Sequence, residues 1–165
     1  FITDAFIGID PSVDQLVRVT EASAQRVQDF GIRPKVALLS HSNFGSSRAP
    51  AAIKMRKAAE KLRHTNPGFQ VDGEMHADTA LSSSIRATIL PDSTLKGDAN
   101  LLIMPDLDPA NIAYNLLKAA TESVSVGPIL MGPAKPAHIV TPSVTARGII
   151  NLAAVAAVEA QTLRA

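Results

Sequence analysis

The run Lys35–Ser40 (KVALLS) is continuously apolar between its first lysine and its final serine. A polar stretch, His41–Ala49 (HSNFGSSRA), follows, and Pro50 then opens a segment rich in alanine and lysine. A short apolar run bounded by turn residues reads as a strand buried on both faces. Proline suits the first position of a helix, because the N–H it lacks would have no partner there. The stretch is therefore a strand, a loop and a helix, the repeating unit of a parallel sheet covered on both sides.

The same alternation extends in both directions. Phe1–Ile9 reads as a strand ended by Asp10-Pro11. Ser12 caps a helix from Val13 to about Phe30, in which Leu16, Val19, Ala22 and Val27 recur at near-helical spacing, and Gly31 closes it. Phe69–Gly73 is strand-like, and Asp78–Ala87 reads as a short helix. Asn100–Met104 (NLLIM) is another buried strand, and Asp108-Pro109 opens a helix to about Ala120. Val124–Met131 is the fifth expected strand, and Val144–Leu163 a long alanine-rich helix. The expected fold class is α/β: a three-layer αβα arrangement around a mostly parallel sheet. There is no fixed-period repeat, low-complexity segment or linker. The Pro/Gly-rich stretch Gly127–Pro142 is the one long irregular region, a kind of segment that often carries a site.

Composition removes several function classes. Of 165 residues, 46% are hydrophobic, which fits a packed domain and not a disordered one. A formal net charge of +1, no tryptophan and a single tyrosine argue against nucleic acid and anionic membranes as partners. Cysteine is absent, so disulfides, thiol nucleophiles and Cys-type zinc sites are excluded, and a cytoplasmic location is expected. No apolar run approaches the ~20 residues needed to cross a bilayer. Phe1-Ile2-Thr3-Asp4 does not resemble a signal peptide, and with no methionine at position 1 the chain is expected to be part of a larger protein.

Three segments carry polar groups in suggestive patterns. Ser40, His41, Ser42, Asn43, Gly45, Ser46 and Ser47 fall at the carboxyl edge of the expected sheet, where ligands bind in open α/β folds. Hydroxyls, a glycine and a following helix N-terminus suit an anion. The plainer alternative is a polar loop that caps its helix. Asp72, Glu74, His76 and Asp78 alternate, so a fully extended segment would align four metal-ligand types on one face. A strand end turning into a helix would break that face, and no metal site is assigned. Lys54, Arg56, Lys57, Lys61, Arg63 and His64 make the helix after Pro50 basic. That is either a solvated face or an attraction for a polyphosphate such as coenzyme A. His138 lies in the irregular region with no Ser-Asp constellation identifiable beside it.

Four blocks, KVALLSHSNFGS (35–46), VDGEMHADTAL (71–81), KGDANLLIMPDLDPANIAYNLLK (96–118) and VGPILMGPAKPAHIVTP (126–142), resemble the C-terminal half of the phosphate acetyl/butyryl transferases, in order and at matching separations. The resemblance runs over essentially the whole chain. It implies a two-subdomain α/β fold similar to isocitrate/isopropylmalate dehydrogenases, usually dimeric, with coenzyme A and acetyl phosphate meeting in a cleft. Residues 1–165 would be the later half of such a domain, with 1–140 in one subdomain and 141–165 a C-terminal helix returning to the other.

The departures also carry information. Active members continue the GP-I-x-x-G-x-x-KP block with Asn-Asp-Leu-Ser-Arg-Gly and a later Asp. With one residue between Lys135-Pro136 and that run, and no gaps after it, the Ser falls on Thr141, the Arg on Pro142 and the Asp on Gly148. Proline cannot hold a phosphate as guanidinium does, and glycine cannot act as a base. Arg147 is a possible shifted arginine. The expected acetyl-CoA or anion-binding set is therefore the Ser40–Ser47 loop with Lys135, Thr141 and Arg147, and no catalytic residue is assigned. Residues 127–154 resemble the version appended to NADP-dependent malic enzymes. That resemblance implies a regulatory, oligomerising domain that senses acetyl-CoA and has a malic enzyme catalytic domain in the same chain. NADP and Mg or Mn would bind that other domain, with no cofactor in this one. An active phosphate acetyltransferase and an assembly-only module remain as alternatives.

Overall fold

The computed structural model describes residues 1–121, 125–140, 142 and 144–162. Its elements, in chain order, are β1 (Ile2–Thr3), α1 (Val13–Asp29), β2 (Lys35–Leu39), α2 (Pro50–Thr65), β3 (Gln70–Met75), α3 (Ala77–Leu81), α4 (Ser83–Ile89), β4 (Leu101–Ile103), α5 (Leu107–Ala120) and α6 (Ala146–Thr162). The chain divides into two compact units, Phe1–Tyr114 and Asn115–Ala165.

In the first unit the strands form one parallel sheet in the order β1-β4-β2-β3. Alternate residues of a strand point to opposite faces, and both faces are covered here. Val36, Leu38, Val71, Leu101 and Ile103 pack with Leu16, Ala24 and Val27 of α1 and with Met55, Ala58 and Leu62 of α2. Ala37, Leu39, Met75 and Leu102 face the other way, onto Ala80 of α3, Leu95, Ala99 and Ala110 of α5. Each large aliphatic side chain buried in this way contributes about 1.5–3 kcal/mol. The three-layer α/β expectation holds, and it explains why KVALL is apolar without alternation.

The helix boundaries follow local chemistry. The Ser12 hydroxyl accepts from the Gln15 amide (3.3 Å), while the Gln15 side chain accepts from the Ser12 amide (2.8 Å), a reciprocal cap for α1. Ser12→Ala is expected to lower stability by about 1 kcal/mol, read as a small fall in urea midpoint without a change in slope. Gly31, with φ +73°, ends the helix as expected. Pro50 begins α2 after Ala49, which offers no side-chain cap.

Three expected elements differ. The strand expected over residues 1–9 spans only Ile2–Thr3, because the Asp4 carboxylate accepts from the Ile7 and Gly8 amides (3.1 and 2.8 Å) and closes a loop. The helix expected over residues 78–87 is two helices. Ser82 is extended between them (φ −134°, ψ 107°) and caps the second through the Ile85 amide. Arg86, fully buried, fixes the break by donating to the carbonyls of Thr79, Ala80, Leu95 and Gly97. The fifth strand is not formed over residues 125–131. Pro128 cannot donate to a ladder, and Gly127 sits at φ +143°; Val124 lies outside the described residues.

In the second unit the Thr145 hydroxyl accepts from the Gly148 amide (3.1 Å) at the start of α6. Glu159, on the buried side of α6, lies 3.4 Å from His138 Nε2, and the Leu130 amide donates to His138 Nδ1 at 3.3 Å. Among the described residues no helix is long and apolar enough to cross a membrane.

Candidate functional site

Strands β2 and β3 end side by side, and the loop after β2 is built on the last residues of β3. Ser40 donates its amide to the Met75 carbonyl (2.9 Å), Phe44 donates to the Glu74 carbonyl (2.8 Å), and the Asn43 side chain accepts from the His76 amide (2.8 Å). The loop is thus tied to the sheet edge by backbone bonds before any of its hydroxyls are considered.

Its interior is organised by one carboxylate. Glu74 is completely buried and accepts from Ser42 Oγ (2.7 Å), the Gly45 amide (2.9 Å), and Arg56 through Nε (3.0 Å) and Nη2 (2.8 Å). The second Arg56 nitrogen also donates to the Ser47 carbonyl at 2.9 Å. Burial works against the Glu74 charge. The Arg56 guanidinium, the Ser42 hydroxyl and the Gly45 amide outweigh it and hold the carboxyl below its ordinary range. The hydrogen bond to Glu74 likewise raises Arg56 above its ordinary value. A two-pronged pairing of this kind sets geometry as well as charge.

A second pair lies one strand step back. Arg63 Nη1 donates to Asp72 (2.9 Å) and to the Gly73 carbonyl (3.2 Å), and Asp72 also accepts from Ser93 Oγ (2.8 Å) and the Thr94 amide (3.0 Å). Asp72 and Glu74, considered above as metal ligands, are instead anchored to arginines on α2. His76 begins the turn into α3, and Asp78 accepts from the Thr79 amide (2.7 Å). The sequence reading of Arg56 and Arg63, a solvated face or an attraction for a polyphosphate, does not connect them to the strand. A signal was present: seven residues apart, they share one side of a helix. That helix runs back antiparallel to the strand holding Asp72 and Glu74.

With its interior filled, the loop turns its remaining groups outward. Ser42 is buried, whereas His41, Gly45, Ser46 and Arg48 are exposed and Ser47 is half-buried. His41 Nε2 lies 3.2 Å from Ser47 Oγ, and Ser46 Oγ lies 3.2 Å from Ser42 Oγ and accepts from the Asn43 amide at 3.0 Å. Lys54 joins α2 to the loop after β1 through Asp10 (2.7 Å), and that loop exposes Phe6, Ile7 and Ile9. The carboxyl edge therefore offers a hydrogen-bonded polar loop after β2 and an apolar loop after β1, an arrangement suited to a ligand with both characters. An open groove of about 690 Å³ at the opposite edge is lined by Ile32, Arg33, Asn66, Phe69 and Gln70. Helices α1 and α2 end there in carbonyls, which do not favour anions.

Of the remaining candidates, Lys135 and Arg147 belong to the second unit. Both are exposed, Lys135 in the irregular segment and Arg147 in the first turn of α6. Thr141 lies outside the described residues, and Pro142 occupies a turn.

A parallel αβα sheet with a hydrogen-bonded polar loop at its carboxyl edge defines an α/β domain, and comparison with known proteins narrows the class. The profile described as phosphate acetyl/butaryl transferase matches residues 1–157, and the chain belongs to that family. It is 51% identical over 163 residues to the NADP-dependent malic enzyme of Escherichia coli, covering 98% of this chain and 22% of that protein. It is 50% identical to the NAD-dependent malic enzyme of Rhizobium meliloti, covering 96% and 21%. Among solved structures, a phosphotransacetylase from Streptococcus pyogenes superimposes with a TM-score of 0.90 at 35% identity, over 96% of this chain and 48% of that one. The chain spans about a fifth of the length of these malic enzymes and about half of this phosphotransacetylase.

Proposed function

We propose that this chain is the phosphotransacetylase-like module of a malic enzyme, binding acetyl-CoA as a regulatory signal without turning it over. The carrying observation is the gradient of likeness. Identity is 51% with a malic enzyme but 32% with the phosphate acetyltransferase of Clostridium acetobutylicum, over nearly the same length of this chain. The departures at Pro142 and Gly148 support the absence of turnover. Gly148 is also crowded: a Cβ there would lie 3.0 Å from Val144 Cγ2, so a larger residue needs that side chain to move. The loop 40–47 supports retained binding. Glu74 fixes its interior through Ser42 and Gly45, and the outward Ser46 and Ser47 are tied to that interior through Ser42. This lowers the cost of ordering the loop around a ligand. Malic enzyme chemistry, with its nicotinamide and divalent cation, belongs in this reading to a separate catalytic domain of the same chain. The near-equal identity to an NADP-dependent and an NAD-dependent relative leaves the nicotinamide unassigned by these residues.

Regulation requires that acetyl-CoA bind two states of the whole protein with different affinity. Titrating acetyl-CoA against malate oxidation by the full-length protein is expected to change kcat or KM by about fivefold or more, the lower end of ordinary coupling. Catalytic release of free thiol, beyond one equivalent per chain, should not follow when phosphate is added. Unchanged malate kinetics at saturating acetyl-CoA sink the regulatory reading, and catalytic, phosphate-dependent thiol release restores the transferase.

A further inference from the structure

Ser47 is the most constrained hydroxyl on the outer side of the loop. Its amide donates to Ser42 Oγ (3.0 Å), which itself donates to the buried Glu74, and its carbonyl accepts from Arg56 (2.9 Å). Its own Oγ accepts from the Ala49 amide (3.2 Å) and faces His41 Nε2 at 3.2 Å. With the Ala49 amide donating to the hydroxyl oxygen, the hydroxyl proton is available to the imidazole when His41 Nε2 is unprotonated. A neutral His41 carrying its proton on Nδ1 presents Nε2 as the acceptor. The pair thus has the hydrogen-bond reach of a nucleophile and its base. Both residues are accessible, His41 exposed and Ser47 half-buried. Helix α2 begins at Pro50 without a side-chain cap. Its partial positive end lowers the cost of negative charge developing nearby.

We propose that Ser47 and His41 form an acyl-accepting dyad, in which Ser47 takes an acetyl group from an activated acyl donor. Ser47 Oγ adds to the acyl carbonyl as its proton passes to His41 Nε2. The tetrahedral adduct collapses by breaking the bond to phosphate oxygen or thiol sulfur. His41 returns the proton to that leaving group, and an ester remains on Ser47. The module would then store an acyl signal covalently. Only the choice of donor rests on the acyl-ligand reading above; the nucleophile and base rest on the geometry.

The test incubates the full-length protein separately with acetyl phosphate, acetyl-CoA and p-nitrophenyl acetate, followed by intact mass and fragmentation of the peptide containing Ser47. One acetyl group on Ser47 in at least one arm is expected. It should be absent in Ser47→Ala and retained as a thioester in Ser47→Cys. The labelling rate should fall roughly a hundredfold in His41→Gln, the usual weight of a general base. Acetylation confined to lysines overturns the proposal, as does labelling of Ser47 at an unchanged rate in His41→Gln. Labelling by p-nitrophenyl acetate alone upholds the dyad and removes the acyl phosphate and thioester as its donors. Failure of acetyl-CoA to alter malate kinetics, by contrast, bears only on the regulatory reading.

Discussion

Gly73→Ala is expected to lower the stability of the first unit by roughly 4 kcal/mol, a large share of what a domain of this size possesses. Gly73 has φ +140°, a region that L-residues rarely enter, and a Cβ built on it would lie 2.7 Å from the Leu38 carbonyl oxygen. It would also lie 3.0 Å from Leu38 Cβ and 3.2 Å from Leu38 N. Leu38 cannot retreat easily, because β2 is an inner strand paired to β3 on one side and β4 on the other. Backbone strain and overpacking therefore add. Gly68→Ala is the control: its φ is +77°, but nothing lies within 4 Å of the added atom. Urea denaturation followed by far-UV circular dichroism and by the fluorescence of Tyr114, the single tyrosine, should place Gly73→Ala well below Gly68→Ala in midpoint. Equal midpoints would mean that the sheet yields at Leu38 and that close approach is not what requires glycine.

Gly73 also illustrates what could be read from sequence and what could not. The buried strands KVALL and NLLIM announced themselves because both of their faces meet helices, and continuous apolarity is the only pattern compatible with that environment. The Ser12 cap and the Gly31 stop were equally local, involving atoms within a few residues of each other. VDGEM did not declare its role. It is a buried strand carrying two carboxylates, and its polarity makes sense only once α2 has folded back and brought Arg63 to Asp72 and Arg56 to Glu74. Propensity also misjudged Val124–Met131, where apolar residues suggested a strand but Pro128 and the positive φ of Gly127 oppose one. The loop Ser40–Ser47 was recognised as a candidate from its position after a strand. Its internal hierarchy, with Ser42 turned inward to Glu74 and Ser47 turned outward to His41, depends on a partner 32 residues away from Ser42.

That hierarchy predicts a specific response to Glu74→Ala. Removing the carboxylate leaves the buried Ser42 hydroxyl without its main acceptor and frees the Gly45 amide, and it takes away the group that positions Arg56 against the Ser47 carbonyl. Stranded buried donors cost about 1–3 kcal/mol each, so a loss of about 3 kcal/mol is expected together with loosening of the loop. Hydrogen exchange should show the loop 40–47 losing protection beyond the global change. Glu74→Gln separates charge from shape, because it keeps the side-chain length while removing the group that titrates. The folded carboxyl is held below its ordinary value, so the unfolded chain binds the proton first on acidification. The stabilisation from this group is therefore complete above the ordinary glutamate pKa of about 4.3 and lost as pH falls through the folded value. The wild type should lose urea midpoint more steeply than Glu74→Gln below about pH 4.3, the two lines converging as the carboxylate is neutralised. Parallel lines would show that the Glu74 carboxyl titrates alike in the folded and unfolded chain, so that its charge adds no net stability. Arg56 would then be held by the Ser47 carbonyl, and the loop would be anchored by its backbone bonds to Met75 and Glu74, not by the buried charge.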